Sequence, residues 1–189
     1  MTNRESHPGR AAKVVHDYGD VFEIEIKNEL FEIVHMVLQP VSLGSDQCPI
    51  ARSLDAIGDW WSLLIVRDAL DGLRRFGEFH QSLGISKNIL TMRLRQLVSD
   101  GILKTVPAAD GSRHQEYILS KKGVALFPVI VSLRQWGEDH FYQKSEAHSV
   151  LIERKTRKPV ERLELRSKDG RALRAENTVR YFPKGSEKK

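Results

Sequence analysis

The sequence holds a single cysteine, Cys48, in 189 residues, which excludes an internal disulfide framework and any thiolate metal cluster built from one chain. Histidine offers no substitute. Of His7, His16, His35, His80, His114, His140 and His148, no two stand three or four residues apart, so no metal site is expected. No stretch approaches the roughly 20 consecutive apolar residues that span a bilayer, and Met1 to Arg10 lacks the apolar region of a secretory signal. The expected location is the cytoplasm, with no membrane partner. Also missing are a glycine-rich phosphate loop, a nucleophile elbow and a recognisable pair of convergent carboxylates. The sequence therefore names no catalytic residue and no cofactor, and an enzyme is not the expectation.

What is present is a chain with 40% apolar residues, enough for a real core, and a net charge of +5. The charge is unevenly placed. Residues 1–143 carry 16 basic and 18 acidic side chains, whereas residues 144–189 carry 14 and 7, so the basic excess belongs to the C-terminal part. A basic protein suits a polyanionic partner, but the sign of the total is weak evidence beside local pattern.

Along the chain, residues 1–45 read as an N-terminal extension with mixed signals. Phe22, Ile24 and Ile26 alternate like a strand, while Leu30, Phe31, Val34 and Val37 recur at helical spacing, which predicts a helix over Ile26 to Leu38. Pro49 is suited to a first helical turn and opens a helix to Ile57. Gly58 and Asp59 separate it from a second, Trp60 to Leu70. Phe76, Phe79 and Leu83 mark a short third helix that Gly84 ends. Ser86 caps the next, with Leu90, Leu94 and Leu97 on one face and Asp100-Gly101 as its stop. The period then changes: Ile102 to Val106, a turn at Pro107 to Gly111, and His114 to Leu119 read as a hairpin. Ser120 caps a longer helix, Lys121 to Tyr142, kinked at Pro128. Beyond Ser145, Leu163 and Leu165 alternate, Asp169-Gly170 reads as a hairpin turn and Val179 to Phe182 as another strand. The expected fold is mainly α with a small β wing: a winged helix-turn-helix over 46–143, a small basic C-terminal β appendage over 144–182, and a disordered tail over 183–189.

The helix after Ser86 carries the functional signal. If its leucines are buried, Asn88, Thr91, Met92, Arg95 and Ser99 project the other way. Arginine can bond guanine bidentately and asparagine adenine, while methionine or the threonine methyl can touch a thymine methyl. Between Ser86 and Ser99 there is no carboxylate, whereas Lys87, Arg93 and Arg95 are cationic, so nothing there repels phosphate. Arg93 falls beside the core face, where it either anchors the helix or clamps a phosphate. Arg113 and His114, at the hairpin tip, are placed to follow the DNA backbone or a flanking minor groove, although Asp110 sits at the same tip. A leucine-faced helix alone is as compatible with an ordinary surface helix. A short helix, a turn, a carboxylate-free helix and an immediate hairpin together favour double-stranded DNA as the partner.

The residues also resemble the HxlR-type regulators, a branch of the MarR-like winged-helix proteins. The resemblance covers roughly Cys48 to Phe141. It rests on Cys48-Pro49-Ile50, Leu54 through Gly58, Trp61 to Ala69, Arg75-Phe76-Gly77-Glu78-Phe79, Gly84-Ile85-Ser86, Leu90-Thr91 with Arg93-Leu94, Asp100-Gly101-Ile102-Leu103, Glu116-Tyr117, Lys122-Gly123 and Trp136-Gly137. It implies a homodimer, assembled through its terminal helices, that binds a near-palindromic operator and most often represses nearby genes. The recognition helix would be 86–99 and the wing 103–119. Trp60, where a basic residue is common, and the wing segment Pro107 to Gln115 depart from the family pattern.

Three features leave alternatives open. Cys48 precedes a helix, where the dipole favours thiolate, and some similar regulators sense oxidants with a cysteine here; the other reading is a small buried filler. An effector would thus be a small molecule or an oxidant. The appendage is either a solvated hairpin packed on the dimer or, through Arg154, Lys155, Arg157 and Lys158, a second contact to the DNA backbone. The rival to DNA binding is a winged helix that docks a protein.

Overall fold

The computed structural model describes residues 12–15, 21–24 and 42–183. The chain divides into two compact units, Met1–Ser42 and Leu43–Lys189. In the first, β1 (Ala12–Val15) and β2 (Val21–Ile24) pair antiparallel, with Ala12 opposite Ile24 and Val15 opposite Val21. The alternation around Phe22 and Ile24 is thus realised as a strand. The helix predicted over Ile26 to Leu38 and the tail 184–189 lie outside the described residues.

The second unit begins with α1 (Pro49–Ile57), α2 (Trp60–Asp71), α3 (Phe76–Leu83) and α4 (Lys87–Ser99). A two-stranded antiparallel wing follows, β3 (Leu103–Pro107) against β4 (Gln115–Leu119), with Leu103 opposite Leu119. The chain then forms α5 (Lys121–Val124) and α6 (Phe127–Phe141). The four helix boundaries before the wing follow from local chemistry. Asp59 accepts the Ser62 N–H at 3.0 Å and starts α2. Gly84, at φ +64°, lets α3 end and α4 begin within three residues, a backbone turn that a Cβ would strain.

The core lies where α2, α3, α4 and the base of the wing meet. Ile65, Val66, Phe79, Leu90, Leu94, Leu97, Ile102 and Leu103 are buried together, and removing their apolar surface from water is the main stabilising term. The wing is bonded at its root: Ser120 donates to the Gly101 carbonyl at 2.6 Å, and Lys122 Nζ to the Asp100 carbonyl at 2.7 Å. Gly123 sits so close to this strand that a Cβ would fall 2.3 Å from the Ile102 carbonyl oxygen.

Two expectations change. The single kinked helix over Lys121 to Tyr142 is two helices, broken at Ala125 and Leu126. Pro128 has no N–H to donate to the Val124 carbonyl four residues back, and its ring crowds that carbonyl, so α5 stops at Val124 and Pro128 serves the first turn of α6. In the appendage the expected strands reduce to two isolated bridges, Ile152 with Pro159 and Arg166 with Ala172, and a 3₁₀ turn at Ala175–Asn177. The turn at Asp169-Gly170 is present, with Gly170 at φ +88°, but Val179 to Phe182 is not a strand. Side-chain alternation alone does not hold a strand without a neighbour to satisfy its backbone. The appendage is instead stitched to α6: Gln135 bonds both the Glu161 carbonyl (3.0 Å) and the Leu163 N–H (2.9 Å), and Arg162 meets Asp139.

Candidate nucleic-acid interface

Leu90, Leu94 and Leu97 have no solvent exposure, and this fixes the rotation of α4 about its axis. Asn88, Met92, Arg95 and Ser99 are consequently exposed and Thr91 half-buried. Asn88, Thr91, Met92 and Arg95, together with Gln96, line one shallow open depression. Gln96 was not singled out from the sequence; its amide donates to the Asp100 carboxylate at 3.1 and 3.2 Å, one turn on. The N-terminus of α4 is set by Ser86, whose hydroxyl accepts the Ile89 N–H at 3.3 Å. Lys87, the first helical residue, is exposed beside it.

Arg93 is not part of the exposed set. It is half-buried, with Nε 3.2 Å from Asp59 Oδ1 in an ion pair that lacks hydrogen-bond geometry. The same carboxylate that caps α2 therefore neutralises a cation on α4 and ties the two helices together. Of the two roles open to Arg93, the geometry supports anchoring.

Arg113 and His114 are exposed on the wing tip, a different element from α4. The tip is a tight turn in which the Ala108 N–H reaches the His114 carbonyl at 3.1 Å and Gly111 adopts φ +73°. Asp110, the carboxylate that stood against a DNA-facing wing, is turned inward electrostatically. Arg75 Nη2 lies 2.6 Å from Asp110 Oδ2, and the Ser112 N–H donates to Oδ1 at 3.0 Å. The Ser112 hydrogen bonds and Arg75 hold the Asp110 carboxyl far below the usual carboxylate range. Asp110, followed by Glu116, raises Arg75 in turn.

This tether was not legible in the sequence, because Arg75 and Asp110 are 35 residues apart with no shared periodicity. It is reinforced by Glu116, which is buried on β4 with Arg74 at 3.8 Å and Arg75 at 3.6 Å. The Tyr117 N–H also donates to the Arg74 carbonyl at 2.8 Å. Glu78 completes the corner by accepting the N–H groups of Arg74 and Arg75 at 2.7 and 2.8 Å, which lowers its own pKa. Arg74 and Arg75 thus hold the wing against the start of α3. Cys48 occupies the N-cap of α1, half-buried; its N–H donates to Asp46 Oδ1 at 2.7 Å and its side chain makes no capping bond. Among the described residues no group of acidic, cysteine and histidine side chains could hold a metal ion, and no helix is long and apolar enough to cross a membrane.

The chain that carries this leucine-backed helix and tethered two-stranded wing is similar to known proteins. The family model for HxlR-like helix-turn-helix proteins matches residues 56–145. The uncharacterized HTH-type transcriptional regulator Rv3095 of Mycobacterium tuberculosis is 42% identical over 91 residues, which is 48% of this chain and 58% of that protein. The uncharacterized HTH-type transcriptional regulator YdeP of Bacillus subtilis is 34% identical over 94 residues, covering 49% of this chain and 73% of that one. The crystal structure of PA1607, a candidate transcription factor, superposes with a TM-score of 0.72 at 55% identity, over 75% of this chain and 99% of its own. The chain belongs to the HxlR-like helix-turn-helix family.

Proposed function

We propose that the protein is a cytoplasmic, DNA-binding transcriptional regulator that acts as a homodimer and represses genes next to a near-palindromic operator. The observation that carries this reading is the exposed face of α4. Asn88, Thr91, Met92 and Arg95 share one open surface, the segment 86–99 has no carboxylate, and the helix behind it is held rigidly by buried leucines. In this reading α4 enters the major groove, Asn88 and Arg95 contact base edges, and Lys87, Arg113 and His114 contact the backbone or the adjacent minor groove.

Exposed apolar side chains support the homodimer. Val129, Leu133 and Trp136 on α6, with Ile50 and Leu54 on α1 and the neighbouring Trp60, are exposed large hydrophobic side chains. Surface of this kind on a water-facing helix marks an interaction site, and a self-complementary two-fold contact between copies is the commonest arrangement that covers it. Two copies would then present two recognition helices to half-sites about one helical turn, or a multiple of it, apart. Repression follows if the occupied operator overlaps a promoter.

The test is fluorescence anisotropy of the purified chain against DNA from upstream of its own gene and a shuffled control, at several salt concentrations. Selective binding with a steep inverse salt dependence is expected, since counterion release accompanies phosphate contact. Failure to select any site from a genomic library would overturn the reading, and a monomer by light scattering would remove the dimer from it.

A further inference from the structure

We infer that Gln96 is a specificity-determining residue of the contact face, oriented by Asp100 so that it accepts a hydrogen bond from an exocyclic amino group, adenine N6 or cytosine N4, and rejects guanine and thymine. The inference rests on the reading of α4 as the helix that enters the major groove.

Five residues line the open depression on α4: Asn88, Thr91, Met92, Arg95 and Gln96. The polar side chains of Asn88, Thr91 and Arg95 make no hydrogen bond to another described residue, so a binding partner is left to orient them. Gln96 is the exception. Its Nε2 lies 3.2 Å from Asp100 Oδ1 and 3.1 Å from Oδ2, and its Oε1 has no partner among the described residues.

The pairing fixes which way round the amide stands. An ionised carboxylate only accepts hydrogen bonds. An amide oxygen turned toward Asp100 would set two acceptors against each other, so the nitrogen is held there and the oxygen is held away. Asp100 stands one turn beyond Gln96 toward the C-terminus of α4, whereas the other four lining residues precede Gln96. The planar amide therefore leaves Oε1 on the side of the depression.

Asp100 is itself held in place. It is the half-buried C-cap of α4; its N–H donates to the Gln96 carbonyl at 2.8 Å, and its own carbonyl accepts from Lys122 Nζ at 2.7 Å. The backbone of the orienting residue is thus fixed both by the helix it ends and by α5 at the wing root. A side chain set before binding loses less freedom on contact.

In the major groove adenine N6 and cytosine N4 are amino donors, while guanine O6 and thymine O4 are acceptors. An acceptor held in position meets a donor in the first pair. In the second it meets another oxygen, and both are left unpaired in a contact that excludes water. A glutamine free to turn would offer its nitrogen to guanine or thymine and would not discriminate. The Asp100 carboxylate removes that freedom, which makes Asp100 a positioning residue. A glutamine and an aspartate four residues apart also stabilise a helix surface in the ordinary way. That role alone changes stability slightly and leaves the selected bases untouched, so base preference separates the two roles.

Selection from a randomised duplex library by the full chain, read by sequencing, tests the assignment. The native chain should show, in each half-site, one position at which adenine and cytosine exceed guanine and thymine about two- to tenfold, the range of a single hydrogen bond. Gln96→Ala should flatten that position and leave the others as they are. Asp100→Asn, whose amide can donate as well as accept, should admit guanine and thymine there while the other positions keep their preferences. Unfolding midpoints are measured on each variant, and Asp100→Ser replaces the asparagine variant if that one does not fold. An unchanged profile for Gln96→Ala, an equal loss on all sequences, or a Gln96-dependent position that prefers guanine or thymine would overturn the role of Gln96. A preference that survives both Asp100 variants would overturn its orientation by Asp100. A native chain that selects no sequence at all overturns the regulator reading, and a native chain that selects a site Gln96 does not influence overturns this inference alone.

Discussion

The winged-helix body and the appendage that follows it solve the same problem in opposite ways. Between Leu43 and Tyr142 the chain buries a contiguous set of aliphatic and aromatic side chains, and polar contacts at helix ends, at the wing root and at the wing tip are added to that core. From 144 to 183 no residue is fully buried; Leu165, Val179 and Tyr181 stand in solvent, and the segment is held by hydrogen bonds and ion pairs to α6. A region with a core can leave its other face free for binding. A region without one takes its shape from what it leans on.

The largest expected contrast is in stability. Leu94→Ala removes a side chain with no exposure and should cost about 2–5 kcal/mol in urea unfolding. Leu165→Ala, on an exposed appendage residue, should change stability by less than about 0.5 kcal/mol. Comparable losses for both would mean that the appendage has a core of its own.

Next in size is the contact face. Arg95→Ala should cost about 1–3 kcal/mol in operator affinity and relax selectivity at one base pair, with the unfolding midpoint unchanged because the side chain is exposed. An equal loss on shuffled DNA would make Arg95 a backbone contact.

The wing tether should give a smaller effect with a defined pH dependence. Arg75→Gln should weaken operator binding a few-fold at neutral pH by freeing Asp110 at the tip. Asp110 and Glu78 have folded pKa values below their ordinary ones, so their contribution is fully present above the unfolded carboxylate range, about pH 4. It is lost as pH falls through the still lower folded values. The difference between the native chain and Arg75→Gln should therefore be constant from pH 6 to 8 by anisotropy, and a midpoint inside that window would implicate another group.

The smallest changes are expected outside these contacts. Arg154, Lys155, Arg157 and Lys158 crowd the turn between Ile152 and Pro159, where Arg157 adopts φ +59°. Replacing all four by glutamine should leave the preferred operator and the salt slope unchanged if the appendage braces α6. A slope reduced by two or more units would make it a second phosphate contact. Cys48→Ser should leave operator affinity, and its response to peroxide, as in the native chain; a response abolished by the substitution would establish redox sensing.

Much of this organisation was legible because it is written in local chemistry. Gly58-Asp59, Gly84-Ile85-Ser86 and Asp100-Gly101 punctuate helices whose faces repeat every three or four residues, and the change to a period of two announced the wing. The outward set on α4 follows from Leu90, Leu94 and Leu97 by geometry alone. Arg93 was legible as a residue beside the core face but not as the partner of Asp59, because 34 residues of chain separate two groups that meet only after α2 and α4 pack. The split of the last helix was half legible: Pro128 marked a disturbance, but a proline is compatible with a kink as well as with a break, and the chain breaks at Ala125 and Leu126.

By itself, then, the sequence determined the order of helices, the wing and the face that α4 turns outward, since these depend on backbone hydrogen bonding and on side-chain periodicity over a few residues. Tertiary structure alone decided that Asp110 is neutralised by Arg75 and that Arg93 is withdrawn from the exposed face. Charges acquire their character from neighbours that the chain brings together only on folding, and no local pattern records which neighbours those will be.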